Sequence, residues 1–274
     1  MGRIVSAAAT SHTFGASEGA EKAVERVRAG MAEIGRAIAD SRPDVLVIAS
    51  SDHLNNFTLD AQIALAVGIA DEYVPLGDMG VPRRPFRGNR EFGAGFAAFC
   101  AEVGFDLTPL EIIQPDHGIG FPNAFSNPDG QAALVPLYLN TVMSPTPSCA
   151  RGFALGQALR SFVKTCRPEG ERVAIIGSGG LSHWVCHPRS GEVNEKWDLR
   201  VIDCLVSGQG AELTKLTRSE ILDEGGNGGL EIAAWAFVAG VAGAATGRRI
   251  YYEPLTSWWT GMGGVLMSIA DEAA

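Results

Sequence analysis

The chain has 274 residues, of which 46% are apolar and 19% are charged, and its formal net charge at pH 7 is −9. This composition can bury a sizeable core and argues against intrinsic disorder. The acidic balance argues against a nucleic-acid binder, because the one basic cluster, the arginines within residues 83–90, is too short for a duplex footprint.

Strand and helix patterns alternate along the chain. Short apolar runs predict strands at residues 3–10, 44–50 and 172–178, and two late strands at residues 249–255 and 264–269. Helical periodicity predicts helices at residues 18–40, 89–103, 152–165, 197–207 and 228–245. Strands separated by helices predict an α/β fold, a single domain over residues 1–274 with a mainly parallel central sheet flanked by helices.

Two long segments interrupt this alternation, residues 73–89 and residues 114–131. Both are rich in turn-forming residues and show neither the helix period nor the strand period. Long irregular loops in a compact domain are often lids or binding loops. We therefore expect both segments to be irregular and functional.

Cysteine usage and hydropathy indicate the compartment. The five cysteines are odd in number and form no CxxC pair, which argues against a disulfide framework and against a thiolate zinc site. The longest uncharged apolar stretch, residues 232–246, is shorter than the about 20 residues that a membrane span needs, so we predict a buried helix there. The chain does not open with a signal-peptide pattern, and we expect a cytoplasmic protein that does not enter the membrane.

Three of the five histidines come shortly after predicted strands. His12 follows the first strand, His53 follows the second, and His183 follows a third strand through a glycine turn. The carboxyl ends of parallel strands meet at one edge of a sheet, where ligands of open α/β sheets bind, so we expect these imidazoles to converge in an active site there. A separate structural role for each histidine is the alternative.

Glu231 can add a carboxylate to this site. It follows a glycine-rich turn at residues 225–230 and opens an apolar helix, with Asn227 as candidate N-cap. The helix dipole favours an ionised carboxylate at this position, and a carboxylate among apolar neighbours is costly unless it is paired or bound to metal. A residue that merely complements the dipole is the alternative. Two imidazoles and a carboxylate suit non-haem Fe(II), but zinc fits the same ligands.

Five motifs appear in order along the chain. They are SerHis at 11–12, SerAspHisLeuAsnAsnPhe at 51–57, ProAspHisGly at 115–118, GlySerGlyGlyLeuSerHis at 177–183 and GlyGlyAsnGlyGlyLeuGlu at 225–231. Together they resemble the class III extradiol ring-cleavage dioxygenases of the protocatechuate 4,5-dioxygenase type, over nearly the whole chain.

The resemblance implies a metal site and two catalytic groups. Fe(II) would be held by His12, His53 and Glu231, with O2 as co-substrate and a catechol-type aromatic diol as substrate. His183 and His117 would be the acid/base residues beside that substrate. We favour His183 as base and His117 as acid, and leave the exchange of these roles open.

The same resemblance leads to candidates for substrate binding and assembly. Arg83 and Arg84 could grip a substrate carboxylate, and Asn56 could bind a substrate oxygen. The alternatives are a solvated or oligomer-contact surface for the arginines and turn formation for Asn56. Relatives of this type often use a separate small subunit, so we expect a homo-oligomer or a small accessory subunit.

Two other functions stay open at this point. One is a zinc- or iron-dependent hydrolase on the same framework, and the other is a non-catalytic binding member of the family. A hydrolase commonly uses a spare carboxylate as base, and none stands out beside His117 and His183. A non-catalytic member would be expected to have lost a motif residue, and all five motifs are present.

Overall fold

Strands and helices alternate along residues 1–269, the part of the chain that this computed structural model describes. The strands are β1 (Arg3–Thr10), β2 (Val45–Ser50), β3 (Leu65–Gly68), β4 (Glu72–Tyr73), β5 (Phe86–Arg87), β6 (Thr108–Leu110), β7 (Ala133–Leu139), β8 (Arg172–Ser178), β9 (Gly247–Leu255) and β10 (Thr260–Met267). The helices are α1 (Glu21–Asp40), α2 (Arg90–Glu102), α3 (His117–Ser126), α4 (Cys149–Cys166), α5 (Glu195–Val206), α6 (Arg218–Glu224) and α7 (Ile232–Ala242). Residues 270–274 of the predicted single domain lie outside this part.

Eight of the strands form one sheet in the order β6-β3-β7-β2-β8-β1-β10-β9. Its four central strands, β7, β2, β8 and β1, run parallel to one another. The strand β6 also pairs parallel with β3, whereas β3 with β7, β1 with β10 and β10 with β9 are antiparallel pairs. The predicted α/β class, with a mainly parallel sheet flanked by helices, is confirmed.

Two apolar layers cover the faces of the sheet. Alternate strand residues enter different layers, as the two-residue period of a strand requires: Ala7 and Val47 lie in one cluster, and Ala8 and Ile48 lie in the other. The first layer includes side chains of α2, α4, α5 and α7, and the second includes those of α1. Because both faces are covered, β2 is buried along its whole length.

The central strand β7 was not among the predicted strands. All seven of its residues are buried, but Pro136 argues against a central strand because it cannot donate a ladder hydrogen bond. In the structure, the pairing of β7 with β3 stops at Leu137, so Pro136 lies one residue beyond that ladder. The missing N–H therefore costs no hydrogen bond to β3.

The expectation that residues 114–131 form an irregular loop is wrong. They contain α3, which begins directly after Asp116, whose Oδ1 accepts a hydrogen bond of 3.0 Å from the backbone N–H of Gly118. Glycines and an internal Pro122 hid the helical signal in the sequence. Residues 73–89 contain only the β4–β5 ribbon and a short 3-10 turn at Asp78–Gly80, and are otherwise irregular as predicted.

The apolar helix α7 is buried throughout, as predicted, and packs closely on α4. A Cβ at Gly240 of α7 would lie 2.0 Å from the carbonyl oxygen of Phe153, and one at Gly156 of α4 would lie 2.1 Å from that of Phe237. The two backbones therefore touch through glycines. Among the described residues, none of the helices has the length and hydropathy needed to cross a membrane.

We predict that Gly240→Ala destabilises the protein by about 2 kcal/mol, because the added methyl group meets a backbone carbonyl that cannot move aside alone. Gly95→Ala in α2 is the matched control. Its Cβ would meet only the ring of Phe162, at 3.3 Å, and alanine has the higher helix propensity. Urea unfolding of both variants measures the difference. Equal midpoints would contradict the close approach of α4 and α7.

Candidate metal centre

Three imidazoles and a carboxylate meet where β1 and β2 end. His12 and His53 follow these strands, and His117 is the first residue of α3. The ring centroid of His12 lies 5.0 Å from that of His53 and 5.1 Å from that of His117, and the last two are 4.3 Å apart. One ligand nitrogen of each ring lies within 4.8 Å of the others, a spacing that a single metal ion can bridge.

Glu231 lies beside two of these rings. Its Oε1 is 3.1 Å from Nε2 of His53, and its Oε2 is 3.7 Å from Nε2 of His12. It ends a 3-10 turn at Gly228–Glu231 and directly precedes α7. The predicted cap is wrong in detail, because Asn227 bonds the backbone of Val185 instead of capping the helix.

The hydrogen bonds around His12 determine which of its nitrogens carries the proton. The Ser178 hydroxyl donates to the carbonyl oxygen of Gly118 at 2.6 Å and has no second hydrogen to give. It therefore accepts from Nδ1 of His12, at 2.9 Å, and Nε2 keeps its lone pair. The Gly118 carbonyl is free for this bond because Pro122, four residues later in α3, has no N–H to donate to it.

His53 is held in the same way by a carboxylate. Its Nδ1 donates to Oδ2 of Asp116 at 3.0 Å, and its backbone N–H donates to the same oxygen. Asp116 therefore both orients this imidazole and caps α3. Asp52, which directly precedes His53, holds the turn that follows this histidine. Its carboxylate accepts the backbone N–H groups of residues 55–57.

Burial and charge set different protonation states in the two rings. Burial lowers the pKa of His12 to about 3, so this ring is neutral at pH 7. Burial also opposes charge on His53, but its hydrogen bonds to Asp116 and Glu231 prevail and raise its pKa to about 10. Burial would raise the pKa of Glu231, yet the neighbouring histidines hold it well below its usual value. In the metal-free protein, His53 is therefore protonated, and its Nε2 donates a hydrogen bond to the ionised carboxylate of Glu231.

This donor set fits a divalent metal ion. Metal–ligand bonds of about 2.1 Å place adjacent ligands about 3 Å apart, close to the spacing of His53 Nε2 and Glu231 Oε1. Glu231 also accepts a hydrogen bond of 2.5 Å from the backbone N–H of Gly180, which fixes its orientation. Two imidazole nitrogens and one carboxylate suit Fe(II), and they suit zinc as well.

His183 lies next to this centre. Its Nδ1 donates to the carbonyl oxygen of Leu181 at 3.0 Å, so Nε2 carries the lone pair. Glycines make room for the ring: a Cβ at Gly228 would lie 2.0 Å from Nε2, and one at Gly180 would lie 2.5 Å from Cε1. Gly180 also lies within contact distance of Glu231, so the ring and the carboxylate flank the same backbone.

His117 has a partner that sequence reasoning missed. Its Nδ1 lies 2.5 Å from Oδ2 of Asp78, in the long loop before α2. Ser178 was missed as well, as a partner of His12. Both were hard to detect, since a lone loop Asp and a Ser at a strand end carry no motif, and each lies far along the chain from its histidine. The exposed His187 belongs to no cluster, and its Nδ1 accepts the N–H of Arg189.

The candidate substrate-binding residues lie outside this cluster. Asn56 donates to Asp52 and to the carbonyl of Gln114, and accepts the N–H of Gln114, so its amide holds the turn after His53. Arg83 and Arg84 are exposed. Within residues 1–269, no hydrogen bond or ion pair joins either arginine to a site histidine, although both lie in the loop that carries Asp78.

The fold and the donor set define an α/β protein with a candidate metal site at the carboxyl ends of parallel strands. Residues 6–263 match the family described as the catalytic LigB subunit of aromatic ring-opening dioxygenase. The chain belongs to this family.

Individual relatives agree with the family. A 2,3-dihydroxyphenylpropionate/2,3-dihydroxicinnamic acid 1,2-dioxygenase of Photorhabdus laumondii is 28% identical, with 92% of this chain and 94% of that enzyme covered. A gallate dioxygenase of Pseudomonas putida is 32% identical, with 65% of this chain and 55% of that enzyme covered. The crystal structure of an uncharacterized Escherichia coli K12 protein superposes with a TM-score of 0.62 at 14% identity, covering 96% of this chain and all of the other, and shows the likeness of fold.

We predict that binding of a divalent metal at pH 7 releases about one proton per ion, because the metal must displace the proton of His53, whose pKa is about 10. His12 is already neutral and Glu231 already ionised, so neither adds to the release. Affinity should rise roughly tenfold per pH unit from pH 6 to pH 9, since the His53 proton competes until its pKa is reached.

Anaerobic calorimetric titrations with Fe(II), in buffers of different ionisation enthalpy, measure this release. His187→Gln is the matched control, because this exposed histidine lies outside the cluster, and it should keep the full proton release. Metal binding without proton release would show that the ion does not bind at His53 and Glu231.

Proposed function

We propose that this protein is an Fe(II)-dependent extradiol dioxygenase that uses O2 to cleave the ring of a carboxylated, catechol-type substrate. The observation that carries this proposal is the convergence of His12, His53 and Glu231, with His117 and His183 beside them. Membership in a family of aromatic ring-opening dioxygenases supports the same reaction class.

The proposed iron ligands are His12, His53 and Glu231. Glu231 is proposed as the third ligand, rather than His117, because its carboxylate is anionic and lies within 3.1 Å of Nε2 of His53 and 3.7 Å of Nε2 of His12. This set leaves coordination positions open for small molecules. The chemistry that Fe(II) supplies when bound is to hold two vicinal substrate oxygens and O2 at one centre and to let electrons pass from the ring to O2.

The proton transfers are assigned to His183 and His117. Nε2 of His183 carries a lone pair because Nδ1 donates to a backbone carbonyl, so this ring can take the proton that a catechol hydroxyl loses on binding. His117 supplies the proton that assists cleavage of the oxygen–oxygen bond. Two separate rings suit a reaction that needs a base early and an acid later.

A carboxylate on the substrate is proposed on two grounds. The names of the relatives refer to dihydroxyphenylpropionate, dihydroxycinnamic acid and gallate, and each of these molecules carries a carboxylate. Arg83 and Arg84 offer two exposed guanidinium groups in the loop that also reaches His117 through Asp78. These arginines are the proposed carboxylate ligands, and Asn56 supports the turn that follows His53.

The setting is proposed to be cytoplasmic, and the assembly a homo-oligomer or a complex with a small subunit. All five cysteines are free, which suits a reducing compartment. The Gly/Ala-rich helix α7 is buried within the chain and offers no surface for association. The oligomeric state is therefore a proposal from the family resemblance alone.

We predict that anaerobic reconstitution with Fe(II) yields O2 uptake on at least one carboxylated vicinal diol. His12→Ala, His53→Ala and Glu231→Gln should each lose iron and activity, because each removes a metal ligand. His183→Gln should keep its iron while kcat falls by about 100-fold or more, since a general base is lost. Iron content and oxygen-electrode assays on a panel of catechols measure both effects.

Two results would contradict these assignments. Tight retention of zinc without O2 uptake on any vicinal diol would favour a metal-dependent hydrolase instead. Loss of iron in His183→Gln, or its full retention in Glu231→Gln, would show that the ligand set is wrong.

We further predict that Arg83→Ala and Arg84→Ala together raise KM for a carboxylated catechol by about tenfold or more, since a charged hydrogen bond of about 1.5 kcal/mol or more is lost. KM for unsubstituted catechol should not change. Arg87→Ala is the matched control, because this guanidinium is held by a hydrogen bond of 2.8 Å to the carbonyl of Gln131, whereas the bond from Arg84 to the carbonyl of Pro128 is 3.4 Å long. An unchanged KM for the carboxylated catechol would make the arginines surface residues, and an equal rise of KM for both substrates would exclude a contact with the carboxylate.

A further inference from the structure

We propose that Asp78 is a positioning residue that acts through His117 and keeps this ring in the orientation that proton transfer needs. The inference rests on the proposed function, which makes His117 an acid/base residue. Asp78 belongs to none of the five sequence motifs, and it comes to His117 from a loop far earlier in the chain.

The hydrogen bond itself limits the ring to one useful arrangement. Oδ2 of Asp78 lies 2.5 Å from Nδ1 of His117, and an ionised carboxylate can only accept. The shared proton therefore belongs to Nδ1, and Nε2 is the nitrogen left for exchange with a substrate. A charge-assisted bond of this kind also stops the imidazole from rotating.

The loop around Asp78 is attached to the segment that carries His117. Before Asp78, the backbone N–H of Leu76 donates to the carbonyl oxygen of Pro115 at 2.9 Å. After it, the buried Val81 packs on Gly120 of α3, where a Cβ would lie 2.5 Å from its methyl group. The carboxylate is thus held from both sides at a fixed distance from the ring.

The backbone of this turn is strained where it presents the carboxylate. Gly77 and Gly80 have φ values of 85° and 84°, and Met79 has a φ of 49° although it carries a side chain. A residue such as Met in the left-handed region costs about 1 kcal/mol or more. Such strain is kept where the surrounding structure enforces a special geometry, which here is the approach of Asp78 to His117.

The second carboxylate oxygen of Asp78 makes no contact that would compete with His117. Within residues 1–269, the buried side-chain oxygens or nitrogens without a hydrogen-bond partner are Oδ1 of Asp78, Oγ of Ser50 and the hydroxyl of Tyr138. The hydrogen bond of the half-buried Asp78 side chain therefore goes to His117 through Oδ2. An unpartnered buried oxygen calls for an explanation, and the effect of this carboxylate on His117 supplies one.

The first experiment tests the hydrogen bond in the metal-free protein, without any assay of activity. Histidines labelled with ¹⁵N should show a low-field Nδ1–H resonance for His117, assigned by its absence in His117→Gln. The resonance should disappear or move strongly upfield in Asp78→Asn. It should be unchanged in Asp71→Asn, where the same substitution affects an exposed carboxylate paired with Arg90.

The second experiment tests the role in catalysis with a double-mutant cycle. Asp78→Asn should lower kcat by about 100-fold, the scale of a general acid–base contribution, with unchanged KM and iron content. The variant should stay folded at the assay temperature, which its unfolding midpoint checks, because Asn keeps the shape of Asp. In the His117→Gln background, the same substitution should change kcat by less than about twofold, because Asp78 then has no ring to position.

Several outcomes would overturn the proposal. An Nδ1–H resonance that keeps its low-field position in Asp78→Asn would exclude the charge-assisted hydrogen bond. An equal loss of kcat with and without His117, or a loss explained by unfolding at the assay temperature, would make Asp78 a structural residue. If the wild-type protein turns over no vicinal diol, the proposed function fails, and the resonance alone then decides whether Asp78 positions His117.

Discussion

The site depends on one constraint, which is that an imidazole can present a lone pair at one nitrogen only if the other nitrogen holds its proton. In each of the four clustered histidines, Nδ1 is directed at an acceptor of the protein, so Nε2 is the nitrogen left for a metal ion or a substrate. The acceptors are the hydroxyl of Ser178, the carboxylates of Asp116 and Asp78, and the carbonyl of Leu181. The exposed His187 has the opposite arrangement, because its Nδ1 accepts a backbone N–H. A common orientation of Nε2 therefore distinguishes the site from an ordinary histidine.

These acceptors are themselves held by the backbone of the fold. Pro122 leaves the carbonyl of Gly118 without its helical donor, so this carbonyl accepts a hydrogen bond from the Ser178 hydroxyl. Because the single hydrogen of that hydroxyl is used, Ser178 accepts from His12. Asp116 caps α3 and binds His53 at the same time. The start of α3 thus determines the state of two proposed ligands as well as the position of His117.

Charge balance keeps the buried cluster together. Burial opposes ionisation of Asp116 and Glu231, yet both have a lowered pKa because the histidines beside them stabilise the anions. Removing one partner would leave a buried charge uncompensated, which costs more than the pair contributes. The same anions attract a divalent cation, so the arrangement that holds the cluster together without metal also favours metal binding.

The sequence by itself determined the fold class, the strand ends that lead to His12 and His53, and, through five local motifs, His117, His183 and Glu231 as candidates. It did not reveal α3 or β7, because Pro122 and Pro136 each argue against the element that contains them until the surrounding hydrogen bonds are known. It also did not reveal Asp78 or Ser178 as partners. A partner that lies some 40 to 170 residues away carries no local signal, and only the tertiary structure brings it to the one nitrogen that it controls.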